Sequence, residues 1–143
     1  MKPNETIGGG CLCGNIRYII DGSIGEANYC HCADCRRANG SAFNVGVRVE
    51  KSTFSLEGCT LSAFTTLGES GGEVTRYFCK TCGSPIFSSS SSNENTIHVK
   101  AGSLDDPHVV APSHQIWTVS RVPWAKLAPD LLSFCRNKSG RRS

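Results

Sequence analysis

Methionine, aromatic side chains, long apolar runs and helical periodicity are all scarce in this chain. Methionine occurs once and aromatics make up 8% of the residues. No run approaches the ~18–20 apolar residues of a membrane span, which argues against a membrane partner. Met1–Gly10 (MKPNETIGGG) lacks the apolar stretch of a secretory leader. A cytoplasmic, reducing location is expected. Charge is also thin, at 19% of residues with a formal net of +3. Hydrophobic residues reach 38%, enough for one modest core. The length of 143 residues fits a single domain, 1–143, with its core at about 8–128 and a flexible basic tail at 136–143.

Cysteine, by contrast, is abundant. Nine are present: Cys11, Cys13, Cys30, Cys32, Cys35, Cys59, Cys79, Cys82 and Cys135. In a reducing compartment clustered thiols read as metal ligands rather than disulfides, and an odd count cannot pair completely. Seven of them fall into Cys11-x-Cys13, Cys30-x-Cys32-x₂-Cys35 and Cys79-x₂-Cys82. Seven thiolates on two Zn²⁺ ions remove three net charges, which brings the formal +3 to zero. A nucleic-acid partner then loses its electrostatic basis.

Fifteen glycines and many serines and threonines suit a turn-rich, mainly β fold. Strand patterns occupy Asn15–Asp21, Ala42–Glu50, Leu61–Leu67, Val74–Cys79 and Thr96–Ala101. The serine run from Ser88, through Asn95, reads as a hairpin loop between strands 85–88 and 96–100. Two short helical turns are predicted. One is Ala33–Asn39, closed by Gly40. The other is Pro129–Cys135, opened by Pro129.

Two cysteine pairs close a four-thiolate site, so Cys11 and Cys13 are joined with Cys79 and Cys82. In Cys-x₂-Cys-Gly the glycine allows the tight turn that aims N–H groups at sulfur. A metal there staples residues nearly 70 positions apart and offsets a thin core. A redox dithiol is the alternative for one pair. Cys30, Cys32 and Cys35 leave a coordination position over, the pattern of a catalytic zinc. With Cys30 and Cys32 on one strand face, His31 points away as a packed or supporting residue. Alternatively His31 is the fourth ligand, or all seven thiols serve structure alone. Three thiolates make a poor hydroxide generator and a good site for a further sulfur, which favours thiol–carbonyl chemistry over hydrolysis.

The segments GGCLCGNIRY, YCHCADCRRANGSAF, TRYFCKTCGSPIF and VKAGSLDD resemble the glutathione-dependent formaldehyde-activating enzyme family, which includes centromere protein V. The resemblance runs from Gly8 to about Trp124. It implies a β-tent of antiparallel sheets, with a structural zinc on Cys11, Cys13, Cys79 and Cys82. It implies a second, catalytic and possibly labile zinc on Cys30, Cys32 and Cys35. The implied activity is a carbon–sulfur lyase reaction joining glutathione and formaldehyde as S-hydroxymethylglutathione.

An anionic thiol needs cationic contacts. Arg36 and Arg37 follow the triplet and are candidates; ion pairs with Asp34 or Glu50 are the alternative. His114 and Trp117 are candidate pocket walls, with packing the alternative for Trp117 and Trp124. Phe43 is expected in the core, and Arg48, Arg76 and Lys100 at the surface. Asp105 and Asp106 read as turn formers, with acid–base work the alternative. Cys59 and Cys135 are expected as free thiols. Two further functions stay open: a non-catalytic zinc-stabilised scaffold, and a redox or metal sensor.

Overall fold

A computed structural model describes residues 5–58, 61–68 and 71–138. The chain is mainly β. Its strands are β1 (Thr6–Gly10), β2 (Ile16–Asp21), β3 (Ala27–Cys30), β4 (Asn44–Glu50), β5 (Phe54–Gly58), β6 (Leu61–Leu67), β7 (Glu73–Cys79), β8 (Pro85–Ser90), β9 (Asn93–Lys100), β10 (His114–Ile116) and β11 (Leu132–Ser133). The α-helix is α1 (Ala33–Asn39), joined by short 3₁₀ turns. Among the described residues no helix is long and apolar enough to cross a membrane.

Two compact units share the chain: Met1–Gly25 with Val47–Val110, and Glu26–Gly46 with Ala111–Ser143. In the first, β1, β2 and β5 form an antiparallel sheet, and β6 to β9 form an antiparallel meander. Alternation along β2 buries Ile16, Tyr18 and Ile20 and turns Arg17, Ile19 and Asp21 outward. Ile86, Ile97, Val47, Val49 and Val99 complete the core of this unit. Aromatic rings run through it: Tyr18 meets Phe54 at 5.0 Å, Phe54 meets Phe87 at 5.0 Å, and Tyr77 stacks on Phe87 at 4.4 Å. The Tyr18 hydroxyl shares a 2.6 Å hydrogen bond with Ser103, and burial pushes its pKa up to about 12.

In the second unit, β3, β10 and β11 run parallel, His114 to Ile116 pairing with Asn28 to Cys30. The expectation of antiparallel sheets therefore holds for the first unit and fails here. These strands lie far apart in sequence, so no hairpin fixes their direction.

Two further expectations are corrected. Residues 129–135 form a turn leading into β11, not a helix. Phe134 N–H donates to the Gln115 carbonyl at 3.0 Å, and the Phe134 ring is buried edge-on against His114 at 6.0 Å. Those tertiary partners replace the intrahelical ones. The serine run is strand rather than loop, because Ser88 and Ser89 pair with β7 on one side and β9 on the other. Only Ser91 and Ser92 remain for the turn.

Candidate metal centres

Cys11 and Cys13 leave β1 in a tight turn in which Gly14 takes φ +85°. Cys79 ends β7, and the matching turn closes at Gly83 with φ +78° and its N–H donating 2.9 Å to the Cys79 carbonyl. A side chain is strained at such a φ, which is why glycine follows each pair. The two turns are tied together. Leu12 N–H donates 3.0 Å to Ser84 Oγ, and Asn15 Nδ2 donates 3.1 Å to Thr81 Oγ1.

The four sulfurs lie within 4.8 Å of one another, with Cys11–Cys13 at 3.6 Å and Cys13–Cys79 at 3.8 Å. Four thiolates ~2.3 Å from one tetrahedral ion stand ~3.8 Å apart, so the donor set fits a metal of that kind. Backbone N–H groups already point at sulfur: Ile16 to Cys11 at 3.2 Å and Cys82 to Cys79 at 3.5 Å. The Ser84 hydroxyl accepts from Leu12, which leaves its own proton for Cys82 Sγ at 3.2 Å. That bond is the main reason the Cys82 thiol is lowered to about 5. The Asn15 amide works to lower Cys13, but desolvation and the neighbouring thiols push it up to about 12. Thiols this close cannot all ionise without a cation between them.

The second cluster belongs to the other unit. Cys30 is the buried last residue of β3. Cys32 is not on that strand, as the alternation argument expected. It is the N-cap of α1, and its Sγ accepts the Cys35 N–H at 3.3 Å. This return of the chain brings the Cys30, Cys32 and Cys35 sulfurs within 4.8 Å of one another. Cys30 is held far above the ordinary thiol range by its bonds with the Cys32 and Cys35 thiols and by burial. Three soft donors of this kind can hold a metal ion, and all-thiolate sets suit Zn²⁺. Among the described residues no histidine or carboxylate joins either cluster.

His31 is fully buried beside the triplet, and its Nε2 lies 2.9 Å from Gln115 Oε1. Gln115 Nε2 donates 2.8 Å to Ser133 Oγ, whose own proton goes to the Leu131 carbonyl at 3.0 Å. Gln115 therefore offers its oxygen to His31, and His31 carries its proton on Nε2. Its Nδ1 is left as a buried lone pair without a partner among the described residues.

The other sequence candidates are placed as follows. Arg36 is half-buried and Arg37 exposed on α1, and neither pairs with Asp34 or Glu50 among the described residues. His114 is buried, its Nδ1 2.9 Å from Ser113 Oγ, and it packs on Phe134. Trp124 is 72% exposed, against the packing expected of it. Phe43 is half-buried and edges onto Tyr29 and His31. Arg48 is exposed, Arg76 half-buried and Lys100 buried, the last against expectation. Asp105 forms a bidentate pair with Arg17, and Asp106 caps a 3₁₀ turn by accepting from His108 N–H at 3.0 Å. Asp106 thus serves the turn, as expected, while the Asp105 carboxylate ties the turn to β2. Cys135 is a half-buried free thiol, and Cys59 lies outside the described residues. Ser84 and Gln115 escaped sequence reasoning, since each acts on a cysteine or histidine distant in the chain.

The model of the glutathione-dependent formaldehyde-activating enzyme family matches residues 6–120, spanning both clusters. The chain belongs to that family. Its name ties its members to glutathione and formaldehyde. No curated protein matches the chain. Among solved structures, a Rhodobacter sphaeroides protein from the Northeast Structural Genomics effort superposes with a TM-score of 0.55 at 21% identity. The match covers 68% of this chain and 87% of that one, and speaks for the fold.

Proposed function

We propose that the chain is a zinc-dependent carbon–sulfur lyase-type enzyme acting on a thiol–aldehyde adduct, such as glutathione with formaldehyde. The observation that carries this is the convergence of Cys30, Cys32 and Cys35 with no fourth histidine, cysteine or carboxylate ligand among the described residues. Zinc held by these three, when bound, supplies a Lewis acid that keeps a substrate thiol ionised at neutral pH. The other cluster, Cys11, Cys13, Cys79 and Cys82, is assigned a structural zinc.

The chain's own groups do the positioning. The Cys35 amide holds Cys32 Sγ, and β3 holds Cys30. Gln115 fixes the His31 ring between them in sequence. Arg36 and Arg37 are retained as cationic contacts for an anionic substrate, while His114 is assigned to packing in β10. In the reaction the thiol sulfur bonds to the carbonyl carbon. The C=O π pair moves to oxygen, which receives the proton the thiol gave up, yielding the hydroxymethyl thioether. A cytoplasmic location and a single working domain complete the reading.

The test is metal content with turnover. Wild type should hold two zinc ions per chain and Cys32→Ser one, with thiol–aldehyde turnover reduced by about 100-fold or more. Unchanged turnover in the variant overturns the reading.

A further inference from the structure

The Thr118–Cys135 region holds a cavity that the reaction just described leaves unassigned. We propose that this cavity receives a carboxylate of the thiol substrate, with Arg121 as its anchor. The inference rests on the thiol–aldehyde reading and deepens it.

The cavity is open, about 440 Å³ in volume, and lined by Thr118, Val119, Arg121, Ser133 and Cys135. It begins where β10 ends. Ile116 is paired with Cys30 on the β3–β10 ladder, and its carbonyl accepts the His31 N–H at 3.1 Å. Two residues later the chain reaches Thr118. A second connection runs through side chains. Ser133, on the cavity wall, accepts from Gln115, which accepts from His31, the residue between Cys30 and Cys32. The cavity and the three-thiol cluster thus share one strand end and one hydrogen-bond chain within the same unit.

Its backbone is firmly held. Trp117 sits at φ +59°, ψ +37°, a left-handed conformation that costs a bulky residue energy and recurs at functional sites. Trp117 N–H, Thr118 N–H and Val119 N–H donate to the carbonyls of Arg136, Phe134 and Cys135. The Trp117 indole donates 3.0 Å to Asn137 Oδ1, and the Arg136 guanidinium lies 5.3 Å from the ring centroid. The strained residue directly precedes Thr118, the first residue of the cavity lining.

The lining chemistry selects the ligand. Thr118 Oγ1 donates to the Phe134 carbonyl at 3.1 Å, and Ser133 Oγ donates to that of Leu131. Both hydroxyl protons are therefore committed. The charged donor that remains is the Arg121 guanidinium, which forms no ion pair among the described residues. No acidic side chain lines the cavity. A group that only accepts hydrogen bonds and carries negative charge fits, and the planar guanidinium fork matches a carboxylate. Arg121, Ser133 and Cys135 also lie beyond the family match at 6–120.

The probe is S-methylglutathione, which keeps both carboxylates but has no free thiol, with its diester as the masked control. Binding is measured by calorimetry on zinc-loaded protein, for wild type, Arg121→Gln, Arg121→Lys and the exposed control Arg48→Gln. Wild type and Arg48→Gln should bind the probe alike and the diester at least tenfold more weakly. Arg121→Gln should lose about tenfold to a hundredfold in affinity and distinguish the diester less sharply than wild type does, with Arg121→Lys in between. Zinc content and melting temperature show that each variant is folded. With the adduct as substrate, KM should rise in Arg121→Gln while kcat holds. If wild type does not bind the probe, or Arg121→Gln binds it as wild type does, the assignment falls. Adduct turnover without probe binding would overturn the cavity alone. Arg121-dependent binding without turnover would keep the cavity and overturn the lyase reading.

Discussion

Ser84 shows how much one hydroxyl can do at a thiolate cluster. It accepts from Leu12 and donates to Cys82, so a single side chain links the two cysteine turns. Ser84→Ala leaves both groups short of a partner. Loss of zinc to a colourimetric chelator should speed up by about 10–100-fold, the usual effect of removing a group that supports a ligand. An unchanged rate would remove Ser84 from this role. His114 is expected to give a pH signature. Burial, aided by the Lys138 charge, holds it below the ordinary histidine value of 6.5. The unfolded chain thus takes up a proton that the folded unit resists. The stability it contributes is complete above pH 6.5 and declines as pH falls below it. His114→Gln should flatten that decline, read from urea midpoints at pH 7.5 and 5.5. Cysteine spacing made the two thiol clusters legible in the sequence. Ser84 and Gln115 were not legible, because nothing local in a serine or glutamine says which distant sulfur or imidazole it will meet.

At the scale of elements, α1 is a single short helix with a defined stop. Gly40 takes φ +74°, and its N–H donates 2.8 Å to the Arg36 carbonyl. A Cβ there would meet nothing within 4 Å, so Gly40→Ala carries backbone strain alone. It should cost about 1 kcal/mol in thermal or urea unfolding, and Gly40→Asn less. A cost near zero would mean that the helix end relaxes freely. Ala33–Asn39 was readable because its cap is local. Residues 129–135 were misread because Pro129 and two leucines satisfy a helix rule, while the deciding partners lie on β10. The serine run failed similarly: a strand hydrogen-bonded on both sides needs little propensity of its own. Cys32 carries the same lesson, since placing it on a strand or at a helix cap depends on where β3 ends.

For the whole molecule, each thiol cluster lies within one compact unit. The mainly β character and the cysteine pairs and triplet were readable, because alternation and cysteine spacing are short-range signals. The parallel β3–β10–β11 set was not, because it depends on residues 26–46 meeting 111–138, and the Arg121 cavity was not, because Thr118–Arg121 meet Ser133 and Cys135 only in the folded unit. Metal removal should separate the two roles. Stripping the Cys30, Cys32 and Cys35 metal should abolish turnover while leaving the far-ultraviolet circular dichroism intact. Stripping a metal from Cys11, Cys13, Cys79 and Cys82 should collapse the first unit's β signal, since an ion held there would bridge turns 66 residues apart. Simultaneous loss of both on either treatment would contradict the division of labour.

The turn that carries Cys11 and Cys13 has a further consequence. Leu12 at its tip is 89% exposed, and Cys13 is exposed as well. A competing ligand can approach one sulfur from solvent while the other three, led by buried Cys79, keep their hold. Zinc in this cluster should therefore exchange one bond at a time with an incoming chelator or carrier protein. Its lifetime in a cell would be set by the traffic of such acceptors rather than by the opening of the fold.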